Sequence, residues 1–207
     1  MTADQLLRFL GKLEPLKSYP RHCWTSVGIR ETVAAHSWRI SMFALLLEEE
    51  IPDVSFGRVL RMCILHDIGE AVTGDIPVFF KTETDRSVET EAVHSLLDLL
   101  PEPQKKRLAG LFQEMDEQKT REARLYKALD QLEAVMQHNE CDLSTWIPLE
   151  YTLNQTYGAE RASEFPILEA LQKRMAEDTR KKIEEKQVAE DRQNGKDTGK
   201  NSGGFPQ

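Results

Sequence analysis

Apolar residues along this chain recur mostly at intervals of three and four, the spacing that lines one face of a helix. Leu6, Leu7, Leu10 and Leu13 follow a Thr2/Asp4 capping region and predict an opening helix. A loop with Pro20 and Gly28 leads to a helix over about 33–49, with His36, Ile40, Phe43 and Leu47 along one stripe. Pro52 separates it from a helix over about 55–67 that carries Val59, Cys63 and His66 on one side. Gly69, Gly74 and Pro77 mark an irregular stretch. Further helices are predicted over about 86–100 (Val93, Leu96, Leu97 and Leu100 inward), 102–114, 120–138 (Leu125, Leu129, Leu132 and Met136 inward) and 158–174. Sustained alternation, the mark of a half-buried strand, is absent from the pattern. The prediction is an all-α fold, a packed bundle of about seven or eight helices.

Composition adds boundaries to that picture. With 207 residues, 40% of them hydrophobic, the chain has material for one core. Residues 1–175 are expected to form the single domain. From Ala176 to Gln207 seven acidic and seven basic residues cancel; residues 176–207 are expected to be a charged, largely disordered C-terminal tail, whose first half can extend a helix and whose part from Gln193 onward reads as disordered. The net charge of −8 therefore sits on the helical part, which argues against a nucleic-acid polymer or an anionic membrane surface as partner. The longest apolar runs fall short of the ~20 residues of a membrane span. Cys23, Cys63 and Cys141 are odd in number and widely spaced, as expected for a reducing compartment, cytoplasmic or nuclear.

One segment changes the picture from fold to chemistry. In Leu65-His66-Asp67-Ile68-Gly69-Glu70, an imidazole and a carboxylate follow an apolar helix and are costly to bury unless both are satisfied. A divalent cation satisfies both, whereas two helix caps would need no metal. Glu70 lies four residues after His66, on the same helical face. His36 shares the inward stripe of its helix, and Asp130 lies within the long helix with Lys127 three residues before it. Two inward histidines with two aspartates are the ingredients of an N/O metal site with open positions. Trp38 and Trp146 read as packing residues and Cys63 as core.

The order His36…His66-Asp67…Asp130 resembles the HD-domain metal-dependent phosphohydrolases. HDIGEAVTGDIP (66–77), the upstream Pro20, Arg21 and Trp24, and KALDQLEAVMQHNE (127–140) are similar to the 5′-deoxynucleotidases of that family, over roughly residues 4–155. The resemblance implies an HD-domain helical bundle that removes phosphate from deoxynucleoside 5′-monophosphates. It implies one divalent ion (Co²⁺, Mn²⁺, Zn²⁺ or Mg²⁺) on His36, His66, Asp67 and Asp130. Glu70 would act on the attacking water and the leaving oxygen, with Asp75 near the sugar. Arg21 and Trp24 would line the nucleotide pocket and favour deoxyribose, with Lys127 or Arg21 neutralising the phosphate. Relatives are commonly homodimers, and the same is expected here. His22 and Cys23 separate the arginine from the tryptophan, which stand adjacent in bacterial members. Three competing readings are weighed: an HD hydrolase of another phosphate ester, a catalytically silent scaffold, and a di-iron oxygenase using His94. The last needs further histidines at defined places; the scaffold would have lost at least one ligand.

Overall fold

The computed structural model describes residues 1–198, with side-chain environments through Arg192. Helix α1 (Ala3–Leu13) opens with a capping box in which Thr2 and Gln5 each bond the other's backbone N–H. A 3-10 turn follows, then strand β1 (Pro20–Trp24), paired antiparallel with β2 (Arg30–Thr32). The all-α class holds, and this small hairpin is an addition to it: Gly28, at φ 78°, helps reverse the chain between strands too short to print an alternation. Thr32 ends β2 and caps α2 (Val33–Leu46), its hydroxyl accepting from Ala35 N–H at 3.2 Å.

Next come α3 (Phe56–Leu65), the single turn α4 (Glu70–Thr73), α5 (Glu83–Leu97), α6 (Glu102–Glu117) and α7 (Arg121–Glu140). Two short turns, α8 (Glu150–Leu153) and α9 (Ala159–Ala162), precede the terminal helix α10 (Pro166–Thr198). The stretch expected as one helix over 158–174 is thus two, because Pro166 has no N–H to continue the α9 ladder and instead opens α10. Helix α10 runs past the boundary drawn at residue 175: Ala176 and Thr179 are buried, and the backbone stays helical through Thr198. Residues 193–198, expected to be disordered, are therefore helical, and the rest of that stretch lies outside the described residues.

Helix α7 is the axis of the core. Its Leu125, Leu129 and Leu132 are fully buried and meet Ile40 and Ala44 of α2, Val59, Met62 and Cys63 of α3, and Phe165 and Leu168. By removing these three leucine side chains from water, this contact contributes about 5–9 kcal/mol before entropy is subtracted. It holds α2, α3 and α7 side by side, which are the elements carrying the histidines and aspartates. Trp146 is buried as expected, but Trp38 is 67% exposed on the outer face of α2. Leu6, Leu7 and Leu10 are exposed as well; α1 docks instead through Phe9, beside Ile68 and Leu96.

Candidate metal centre and active site

His36 enters from the first turn of α2, fully buried. His66 continues the last turn of α3, its N–H still bonded to the Met62 carbonyl at 2.9 Å. The chain then folds back through Asp67–Gly69 into α4. Gly69 suits the close approach there: a Cβ would lie 3.0 Å from the Val93 side chain and 3.2 Å from the Glu89 carbonyl oxygen on α5, closer than most side chains sit. Asp130 arrives from the middle of α7.

These four residues meet. His36 Nε2 lies 3.2 Å from Asp130 Oδ1 and 3.9 Å from Asp67 Oδ2. His66 Nε2 lies 2.9 Å from Asp67 Oδ2 and 3.8 Å from Asp130 Oδ1. The other nitrogen of each ring is already committed. His66 Nδ1 is 2.9 Å from the Cys63 carbonyl, to which only an N–H can bond, and His36 Nδ1 is bonded to the Glu133 carboxylate. With Nδ1 committed in each ring, Nε2 is the nitrogen turned toward the aspartates and the one able to bind a cation once it carries no proton. His66 Nε2 is buried without a hydrogen-bond partner although a carboxylate oxygen is 2.9 Å away. His36 Nε2 hydrogen-bonds Asp130 Oδ1 at 3.2 Å, so the unpartnered His66 Nε2 is the atom a cation would satisfy, and two imidazoles with two carboxylates suit a divalent ion. The residues present fit the group.

Glu133 is a participant that sequence reasoning missed. It is fully buried, three residues after Asp130 on the same face of α7, so the spacing alone carried the signal. Arg21 Nη1 bonds Glu31 at 2.8 Å and lies 3.5 Å from Glu133. Burial and Arg21 act to lower His36, but Glu133 and Asp130 outweigh them and raise it to about 9. Asp130 is held below the ordinary carboxylate range: burial opposes ionisation, and Lys127, 2.7 Å away, and His36 overcome it.

An open cavity of about 910 Å³, mouth included, lies over the quartet and is lined by Arg21, Asp67, Glu70, Asp75, Lys127 and Asp130 among others. Glu70 is 3% exposed, with one carboxylate oxygen unpartnered. Burial, reinforced by Asp67, Asp75 and Glu89, pushes it up to about 10. Gly74, at φ 73°, turns the chain after α4 and brings Asp75 to the cavity wall.

Trp24 does not join this group. Its ring packs against the cluster of Cys141, Leu143 and Trp146, with the Arg30 guanidinium 4.8 Å from its centroid, and it is not among the residues lining the cavity. Two residues intervene between Arg21 and Trp24, and His22 and Cys23 line the wall instead. His94 is exposed on α5 and belongs to none of the His/Cys/Asp/Glu groups close enough to share an ion among the described residues.

Comparison with known proteins agrees with this geometry. The HD-domain family model matches residues 13–171, and the chain belongs to that family. A 5′-deoxynucleotidase of Bos taurus is 34% identical over 142 residues, covering 67% of this chain and 68% of that protein. A 5′-deoxynucleotidase of Schizosaccharomyces pombe is 30% identical over 159 residues, 68% of this chain and 79% of its own. A crystal structure from Magnetospirillum magnetotacticum, described as a predicted metal-dependent phosphohydrolase, superposes with a TM-score of 0.74 at 28% identity. It covers 86% of this chain and 95% of that one. Among the described residues, no helix is long and apolar enough to cross a membrane.

Proposed function

We propose that this protein is a metal-dependent 5′-deoxynucleotidase that hydrolyses deoxynucleoside 5′-monophosphates to deoxynucleosides and phosphate. The observation that carries the reading is that the Nε2 atoms of His36 and His66, their rings oriented by Glu133 and Cys63, each lie within 4 Å of the Asp67 and Asp130 carboxylates beside an open cavity. His36, His66, Asp67 and Asp130 would hold the ion, which is Co²⁺, Mn²⁺, Zn²⁺ or Mg²⁺. When bound, such a cation supplies Lewis-acid polarisation of the phosphoryl group and lowers the pKa of water beside it.

This chain's own residues do the rest. Lys127 and Arg21 offer positive charge to a phosphate dianion at the cavity wall. Glu70 sits where it can hold or move one proton: it takes it from the attacking water as general base, or delivers it to the leaving 5′-oxygen as general acid. Its buried position keeps the proton from being lost to bulk water. Asp75 faces the sugar. The acidic overall charge leaves the attraction of an anionic substrate to these local cations.

Release of phosphate tests the reading. Metal-stripped protein is reloaded with single divalent ions and offered deoxynucleoside and ribonucleoside 5′-monophosphates. Activity in at least one metal that disappears in His66→Ala and Asp130→Asn is expected. Equal rates on ribo- and deoxyribo-substrates would remove the sugar preference, and release that survives both substitutions would remove the metal centre. A homodimer in the cytoplasm completes the proposal. Exposed Trp38, Met42, Leu45 and Leu46 form an apolar stripe on α2, and three free cysteines suit a reducing compartment.

A further inference from the structure

The same cavity extends from the metal quartet to a second set of side chains that the proposed hydrolysis does not use: His22, Phe79, His138, Glu150, Leu153 and Asn154. Two of them are buried polar side chains with one atom each lacking a hydrogen bond. Glu150 is 1% exposed; its Oε2 accepts the Ile147 N–H at 2.8 Å, while its Oε1 has no hydrogen-bond partner. His22 Nε2 lies 2.9 Å and His138 Nε2 3.3 Å from that Oε1, but without hydrogen-bond alignment. Asn154 is 3% exposed, and its Nδ2 is also without a partner. Asn154 N–H bonds the Glu150 carbonyl at 3.1 Å, so the two residues stand one turn apart on one face of the α8 turn. One offers an acceptor and the other a donor.

Buried groups of this kind cost stability unless something pairs with them. Neighbouring apolar surface limits what that partner is. Phe79 lies edge-on to His22 with centroids 5.7 Å apart, and Leu153 adds an aliphatic wall. An apolar face beside a donor–acceptor edge fits a flat heterocycle that carries an N–H and a ring or carbonyl acceptor. Burial, with His22 and Arg21 nearby, pushes His138 down to about 4, so it adds no positive charge to this end at neutral pH. A second phosphate is therefore a poor fit here, and a neutral base a good one.

We propose that this end of the cavity reads the nucleobase: Asn154 Nδ2 donates to, and Glu150 Oε1 accepts from, one edge of the base, with Phe79 and Leu153 flanking its face. The inference rests on the nucleotidase reading and adds base recognition to it. The four deoxynucleotides are compared with deoxyribose 5-phosphate, which lacks the base, in wild type, Asn154→Leu and Glu150→Gln. Each variant serves as its own reference, because the ratio of kcat/KM values is independent of the folded fraction. Wild type should favour at least one deoxynucleotide over the base-free ester by on the order of 100-fold, and each substitution should lower that ratio about tenfold and reorder the bases. A wild-type ratio near one, or ratios and base order unchanged in both variants, overturns the proposal. If no metal yields phosphate from any ester, the nucleotidase reading falls. The base subsite is then decided by calorimetry with the four deoxynucleosides. Binding weakened about tenfold or more in Asn154→Leu supports it; no binding to wild type, or equal binding to both, overturns it.

Discussion

Glu133→Gln tests whether the metal centre depends on the residue behind it. The carboxylate is fully buried and bonds His36 Nδ1, with Arg21 at 3.5 Å and Arg39 at 3.8 Å. The amide keeps the shape and an acceptor oxygen but removes the charge, so the imidazole loses basicity and orientation while the fold keeps its packing. Loss of such a partner behind a metal histidine costs about 10–100-fold in metal affinity, or about 1.4–2.8 kcal/mol. Titration of metal-stripped protein by calorimetry reads the dissociation constant directly, and phosphate release against metal concentration reads it again. The half-saturating concentration should rise by that factor, with kcat at saturating metal falling less. A purely structural role would lower the melting temperature without moving the metal titration. Half-saturation within twofold of wild type, in a variant that still folds, refutes the reasoning.

Three further outcomes are expected. In metal-free protein Glu70, raised to about 10 from an ordinary 4.5, binds its proton more tightly when folded than unfolded. Its contribution is complete below about pH 4.5 and is lost as the pH rises toward 10, so Glu70→Gln should flatten a decline in stability over that window and raise the neutral-pH melting temperature while abolishing turnover; a melting temperature lowered across the window would contradict this. Leu129→Ala, at a fully buried site on α7, should cost about 2–5 kcal/mol in chemical denaturation, and a loss under 1 kcal/mol would place the core elsewhere. Trp38→Asp should convert a dimer to a monomer in analytical ultracentrifugation if the α2 stripe pairs two copies; unchanged sedimentation would assign the contact to another face.

The helical class was legible in the sequence because a three-to-four residue spacing expresses the one-sided burial of a helix, as in Leu125, Leu129 and Leu132. The convergence of His36, His66, Asp67 and Asp130 was legible for a chemical reason: histidine and aspartate on apolar stripes contradict their surroundings unless something pays for them. The family resemblance supplied the roles. Arg21, Asp75 and Lys127 were likewise expected at the pocket and line it. Periodicity says which face of a helix is buried but not against what. Trp38 and the leucines of α1 therefore fit a packing pattern while standing in solvent. Short-range pattern also fails where geometry is set by pairing: the β1–β2 hairpin, with its irregular register, carries Trp24 away from the cavity and puts His22 on its wall.

Local sequence thus determined the long helices, the cap that opens the first, and the residue types able to hold a cation. The tertiary structure alone decided which distant groups became neighbours. Glu133 stands 97 residues from His36, and Glu150 far from His22, yet each pair shares a contact made only when α2, α7 and the hairpin pack together. Proton positions follow from that packing as well. In the metal-free protein, burial and the juxtaposed carboxylates of Asp67, Asp75 and Glu89 turn Glu70 from an ordinary acid into one that keeps its proton at neutral pH.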